Sequence, residues 1–368
     1  MMSTLDRVAT TLDTLWFTRC PVPTATGIAA DLGWLASEFE GDGIQIRSLQ
    51  DAGADVPREE HFAHGLAALV REGGNVPALW ARSQGAPTRL IGLTWIEERQ
   101  VIVTRPGFGV TEPAELVGLR IAVPRRPIAI DFWRAMALAG FAGALSLVER
   151  DLDDVRRTEF EVSPETDASG GQWAADLQAL RDGQVDAVYL KGAVAVEQAR
   201  RHGAVVALDL DTLGPRESRV NNGTPRPITV HQYLLDSHPD VVVRFLAVLL
   251  EAAQWAQGRP DELLTILSSE TGAGQEGAAS AYIAAGAPDL RIDLSAERLA
   301  LLARQERFLA EQGFLSPRVD IEDWSAPQVL ESAQALVAQR RDAHAAEHHL
   351  NPTKNGAEAA RINEGENQ

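Results

Sequence analysis

The only cysteine of the chain, Cys20, sits in the stretch WFTRCPVPTAT, with prolines at 21 and 23 directly behind it. A thiol becomes a nucleophile or an acid–base group when its neighbours tune its pKa. Further along, His61 lies within EHFAH and Arg71 within REGGNVP. An imidazole can pair with a thiol and shuttle its proton. A guanidinium offers a fixed planar fork to a two-oxygen anion. Gly73 and Gly74, next after Glu72, would let backbone N–H groups approach that anion closely. Together these residue types suit a small acidic group carried on an apolar body. Each also has a plainer reading: Cys20 as a small buried hydrophobe, His61 as a structural histidine, Arg71 as a surface charge. The residue types alone do not decide between the two.

Other chemistries lack their residues. There is no G-x-G-x-x-G after a strand, no G-x-x-x-x-G-K-[ST], no H-E-x-x-H and no G-x-S-x-G. One cysteine forms no internal disulfide and no thiolate metal cluster. HFAH places His61 and His64 three residues apart, close enough to share a helix face, but no third ligand follows at a recognisable spacing. One functional and one exposed histidine are expected there. His344, His348 and His349 stand among Ala and Glu residues and read as an exposed helix end. No cofactor and no metal are expected.

Charge and hydropathy narrow the partners. The net charge of −18 repels nucleic-acid phosphates and anionic membranes, so neither is an expected partner. A local basic pocket remains compatible with an anionic small molecule. No apolar stretch reaches the roughly 18 residues of a membrane span. VVVRFLAVLLEAAQWA comes closest, but Arg244 and Glu251 interrupt it, which makes it an amphipathic helix with a wide buried face. MMSTLDRVATTLDTLWFTRC lacks a basic region followed by an apolar run, so no signal peptide is read and a cytoplasmic location is expected.

These candidates need elements to position them. TGIAADLGWLASEF has helical spacing, and GIQIRSLQ alternates like a strand. TRLIGLTWI and QVIVTRPG read as strands joined by a short connection. A second block begins near TEPAELVGLRIAVP. In it DFWRAMALAGFAGAL and QWAADLQALRDG read as helices, QVDAVYLKG and AVVALDL as strands, and FEVSPETDASGG ends in a turn-rich loop. GPRESRVNNGTPRP reads as a linker-like loop. Both blocks are therefore α/β, and a cleft between two such lobes favours small-molecule binding.

The chain also resembles a known family. CPVPTA at Cys20–Ala25, HF at His61–Phe62 and R-x-G-G-x-x-P at Arg71–Pro77 are similar to the active-site segments of the 2'-hydroxybiphenyl-2-sulfinate desulfinase family. TRLIGLTW, DLDDVRR, GQVDAVY, HPDVVVRFLAVLLEAAQWA and QERFLAEQGFLSPRVDIEDWSAPQVLES follow in the same order, so the likeness runs from about Leu12 to about Ala333. It implies a bilobal α/β fold like that of type II periplasmic binding proteins. The first lobe would combine residues 1–112 with 222–335 and the second would hold 113–221, with 336–368 a polar, partly disordered tail. It further implies a cofactor-independent hydrolysis of an aromatic sulfinate to the arene and sulfite, by a monomer. Cys20, His61 and Arg71 take the catalytic places. Gly73, Gly74, Phe62 and, by a looser match, Trp133 take the substrate-binding places. Cys20 could attack sulfur or protonate the ipso carbon, and either route stays open. Two departures bear on the substrate: Glu72 stands where the family has an aromatic residue, and YLKGAVAVEQ replaces a tryptophan-rich segment. The second reading is a non-catalytic binding protein for a sulfonate, sulfinate or similar small acid.

Overall fold

A computed structural model of the chain describes residues 11–53, 56, 60–163, 173–283 and 288–350; the side chains of His61 and of residues 347–350 lie outside that description. The strands, in chain order, are β1 (Thr14–Phe17), β2 (Gln45–Ser48), β3 (Leu69–Glu72), β4 (Thr88–Thr94), β5 (Gln100–Thr104), β6 (Arg120–Arg125), β7 (Arg156–Glu161), β8 (Ala187–Lys191), β9 (Val205–Asp209) and β10 (Arg226–His231). They form two five-stranded sheets of order β2-β1-β3-β10-β4 and β7-β6-β8-β5-β9. In the first sheet β1 runs parallel to β2 and β3, and β10 is antiparallel to β3 and β4. In the second, β6 is parallel to β7 and β8, and β5 is antiparallel to β8 and β9.

This topology makes the chain cross between the lobes twice. It leaves the first sheet after β4, passes through residues 95–99, and enters the second sheet at once as β5. It returns through residues 210–225 and re-enters the first sheet as β10. The first lobe therefore does not extend to residue 112: β4 and β5 are neighbours in sequence but buried in different sheets. The composition changes only near 112 because β5 is as apolar as β4. Strands β3, β4, β5 and β8 are buried along almost their whole length, as strands covered on both faces must be. β7 is an edge strand: its Arg156, Arg157, Glu159 and Glu161 face solvent, while Phe160 packs against the second core.

The expected single helix over TGIAADLGWLASEF is two, Ala25–Asp31 and Trp34–Glu40. Gly33 breaks it at φ 73°, a left-handed conformation that a helix does not continue through. The first core gathers round the helix Pro239–Ala256, whose Phe245, Leu246 and Leu249 are fully buried with Leu15, Leu35 and Phe39. Arg244 interrupts that apolar run on its outer side, where it lies over the Phe39 ring and pairs with Glu38 and Asp42, each at 2.7 Å. The second core holds Phe141, Trp173 and Tyr189 under the second sheet. No single helix among the described residues is long and apolar enough to cross a membrane.

The segment from 336 is not a loose tail at its start. One helix runs from Pro327 to Leu350. Val337 is buried in the first core, and Arg340 pairs with Glu38 at 2.8 Å and Glu251 at 3.4 Å. The apolar contact and the paired charges extend the helix past the end of the family likeness. Residues 351–368 lie outside the described residues.

Candidate active site

A cavity of about 310 Å³ opens between the lobes, lined from both of them and from both crossings. It sits at the carboxyl ends of β1, β3 and β8, where loops leaving parallel strands converge. Cys20 comes from the loop after β1, Arg71 and Gly74 from the end of β3, and Lys191 and Gly192 from the end of β8.

The loop of Cys20 is tightly held. Its carbonyl accepts the Val22 N–H at 2.7 Å across Pro21, and Thr24 caps the helix Ala25–Asp31 by accepting the Gly27 N–H at 2.9 Å. On the other side the Arg19 N–H reaches Gln50 Oε1 at 2.7 Å and its guanidinium pairs with Glu270. Cys20 is 8% exposed, and its Sγ donates to the Glu72 carbonyl at 3.4 Å. Burial pushes the thiol pKa up, against the pull of Arg226 and then Arg71. The resting group is therefore a thiol, not a thiolate.

Glu72, the departure from the family's aromatic residue, turns away from the cavity. Its carboxylate accepts the Thr26 N–H at 3.0 Å, the Thr26 hydroxyl at 2.6 Å and the Thr94 hydroxyl at 3.4 Å. Its carbonyl takes the Thr18 hydroxyl at 2.9 Å as well as the Cys20 thiol. Burial raises this carboxyl's pKa. The residue thus ties β3 to both ends of the cysteine loop.

Arg71 lies in a central strand and is 1% exposed. Burial pulls its pKa down to about 10, which leaves it cationic at neutral pH. Its Nη1 donates to the Gly74 carbonyl at 3.1 Å, so the guanidinium folds back over the glycine pair. A Cβ on Gly73 would lie 2.7 Å from the Arg71 Cζ, which is why that position holds no side chain. The Gly73 N–H donates to the Pro227 carbonyl at 3.2 Å. Gly73 is therefore not part of the cavity wall, contrary to its expected substrate-binding place: it makes room for Arg71. Gly74 does line the cavity and caps the helix Asn75–Ser83. Amides at such an end lack intrahelical acceptors and carry the positive end of the helix dipole. Asn222 seals this turn, accepting the Val76 N–H at 3.1 Å, while Asn75 donates to the Asn221 and Pro225 carbonyls at 2.7 and 2.8 Å.

His61 lies in the short helix Glu60–Ala63, with its side chain outside the described residues. His64 is not the exposed histidine expected: it is 1% exposed, with Nδ1 3.3 Å from the Thr229 hydroxyl and Nε2 3.4 Å from the Leu69 carbonyl. Burial and the Arg71 charge hold its pKa down to about 3, so it stays neutral. Both nitrogens face oxygens of the protein, which leaves neither for a metal. Among the described residues no group of three or more His, Cys, Asp or Glu could hold a metal ion.

Phe62 and Trp133 belong to an aromatic wall. Phe62 packs on Phe132 with ring centres 5.9 Å apart, Phe132 on Trp133 at 5.2 Å, and Trp133 edge-on against Trp173 at 4.9 Å. Such a wall suits a flat aromatic guest. Sequence reading misses Glu98, Lys191, Asn222 and Arg226, all of which line the cavity. Asn222 and Arg226 fall at the end of what reads as a linker-like loop but is the returning crossing. The only local signal is a charge ending a buried strand, as Lys191 ends AVYLK.

The family described as NMT1/THI5 like matches residues 172–263. A 2'-hydroxybiphenyl-2-sulfinate desulfinase of Rhodococcus erythropolis is 29% identical over 358 residues, covering 87% of this chain and 93% of that protein. The solved structure of the desulfurization enzyme DSZB superposes with a TM-score of 0.64 at 25% identity, covering 88% of this chain and 99% of that one. The periplasmic aliphatic sulphonate binding protein SsuA from Escherichia coli superposes with a TM-score of 0.65 at 17% identity, covering 85% of this chain and 92% of that one, and shares the bilobal fold.

Proposed function

We propose that this chain, which belongs to the family of the 2'-hydroxybiphenyl-2-sulfinate desulfinases, hydrolyses the C–S bond of an aromatic sulfinate. The observation that carries the reading is one cavity in which a buried thiol, a buried guanidinium, a helix N-terminus and an aromatic wall converge. The reaction balances with water alone. The arenesulfinate anion and water give the arene and hydrogensulfite, as the C–S bond breaks, a proton goes to the ipso carbon and hydroxide goes to sulfur.

Arg71 and the Gly74 amide hold the two sulfinate oxygens. A charge-assisted fork fixes orientation as well as affinity, and a preorganised donor set costs no rearrangement when charge builds on the departing sulfur group. Phe62 and Trp133 hold the ring. Cys20 is the acid: its raised pKa keeps the proton on sulfur at rest, which is the form that protonation of the ipso carbon requires. Attack of Cys20 on the substrate would first need that proton removed, a task for His61. His61 otherwise directs the attacking water. The chain acts as a monomer in the cytoplasm, on a small anionic aromatic substrate.

The test is sulfite release across aryl and alkyl sulfinates, with intact-protein mass spectrometry under rapid quench. Sulfite without a covalent adduct supports the acid role, and an adduct at Cys20 moves the assignment to attack on sulfur. Ligand-induced stabilisation by sulfonates and sulfinates with no sulfite from any of them would make the protein a binding protein instead.

A further inference from the structure

Arg226 lines the cavity as the first residue of β10 and is 4% exposed. Its backbone is fixed against the glycine turn. The Gly73 N–H donates to the Pro227 carbonyl at 3.2 Å, and Asn75 Nδ2 donates to the Pro225 carbonyl at 2.8 Å. The residues on either side of Arg226 therefore both hold the turn that carries Gly74. The side chain is held from its far end, where Nη2 donates to Glu98 Oε1 at 2.7 Å. Lys191 Nζ shares that oxygen at 3.1 Å and also donates to the Asn222 carbonyl.

Counter-charge is present here: Glu98 and Glu72 act on Arg226, and Glu98 and Asp211 on Lys191. What Arg226 lacks is acceptors. The bond to Glu98 is the only one its guanidinium makes among the described residues; Nε is buried without a partner, and Nη1 has none either. Buried N–H groups of native proteins are nearly always placed on acceptors, because an unmet buried donor is costly. The surroundings say which acceptor this fork awaits. Arg226 is the cation that acts most strongly on the Cys20 thiol, ahead of Arg71, and the two guanidiniums act on each other. Arg226 thus stands at the same end of the cavity as Cys20, Arg71 and the Gly74 turn.

Hydrolysis brings a third oxygen to that end. The sulfinate carries two, which Arg71 and Gly74 hold, and water supplies the other. The ipso carbon keeps the C–S electron pair and takes the Cys20 proton. The water oxygen bonds to sulfur, one water proton returns to the Cys20 sulfur, and the other leaves with hydrogensulfite. We propose that Arg226 is a further catalytic residue, whose unpaired N–H groups receive that third oxygen as it bonds to sulfur. Glu98 holds the fork in place for it. A donor set that waits for an oxygen the substrate lacks favours the transition state over the bound substrate. This inference rests on the reading of the cavity as an aryl sulfinate site.

Arg226→Gln removes both the charge and the fork. Arg226→Lys keeps a cation for Glu98 and loses the fork, so it carries the test if the first variant melts early. In both, kcat for sulfite release should fall at least about tenfold while KM stays within about threefold. Binding separates the third oxygen from the other two, because a sulfonate carries an oxygen where a sulfinate has its lone pair. Calorimetry in the Cys20→Ser background, which stops turnover, compares benzenesulfonate with benzenesulfinate. Each Arg226 variant should weaken benzenesulfonate at least about tenfold and benzenesulfinate less than about threefold. Equal loss of both ligands, or loss of neither, overturns the inference. A selective loss of benzenesulfonate, with no sulfite from any sulfinate by the parent protein, leaves the third-oxygen site standing and removes the desulfinase reading. Sulfite release by the parent that both Arg226 variants match overturns this inference alone.

Discussion

Replacing Gly74 by Ala should disable the site through one contact. The backbone at Gly74, φ −56° and ψ 144°, is open to any residue, so the substitution brings no conformational strain. The added Cβ, however, would stand 2.1 Å from Asn222 Oδ1 and 2.7 Å from both Asn222 Cγ and Nδ2. Favourable contacts of this kind begin near 3.5 Å, so the glycine turn and Asn222 must separate by about 1 Å or more. A displacement of about 1 Å in a positioning element costs on the order of a hundredfold in rate, or about 2.7 kcal/mol. Asn222→Ala removes all three offending atoms. By itself it takes the acceptor from the Val76 N–H, a loss of about 1 kcal/mol in stability. In Gly74→Ala/Asn222→Ala the methyl then fits, and kcat/KM for sulfite release should recover at least about tenfold over Gly74→Ala. That is a coupling of about 1–3 kcal/mol between residues in contact. Far-ultraviolet circular dichroism and thermal melts of all four proteins confirm that each is folded. A double variant whose kcat/KM is the product of the two single effects would refute the steric argument, and unchanged activity in Gly74→Ala would remove the Gly74 amide from the site.

Cys20→Ser should lower sulfite release by at least about a thousandfold. The serine hydroxyl can still donate to the Glu72 carbonyl, so the thermal midpoint should stay within the shift of about 1 kcal/mol; substantial turnover by this variant would sink the acid assignment. Arg71→Lys keeps the charge but loses the fork, and kcat/KM should fall roughly ten- to hundredfold; equal kinetics would place Arg71 outside the sulfinate site. His64 titrates near pH 6.5 when unfolded but is held down to about 3 in the fold. The unfolded chain therefore takes up its proton first as pH falls, and stability drops from pH 6.5 downward, by about 2 kcal/mol at pH 5. Its φ of 54° suits asparagine, so His64→Asn should flatten that acid slope in urea melts; an unaltered slope would show that His64 is not its source.

Much of the local structure was legible in the sequence because periodicity and turn chemistry act over a few residues. The apolar runs of β4, β5 and β8 and the amphipathic helix Pro239–Ala256 could be read directly, as could the types and spacing at Cys20, His61–Phe62 and Arg71–Gly74. What could not be read is which sheet a strand joins. β4 and β5 look like consecutive partners, yet the first crossing sends them to different lobes. The trio of Glu98, Lys191 and Arg226 depends on that crossing, on the register of β5 against β8 and on the return of β10, and these bring together residues more than 30 positions apart. Glu72 and His64 show the same limit from the other side. Sequence marks them as a departure and a spare histidine, and only the packed structure makes one the anchor of the cysteine loop and the other a neutral core residue. Composition supplied a thiol and a guanidinium, and local sequence placed each on its own loop. Long-range strand pairing then buried them in one cavity.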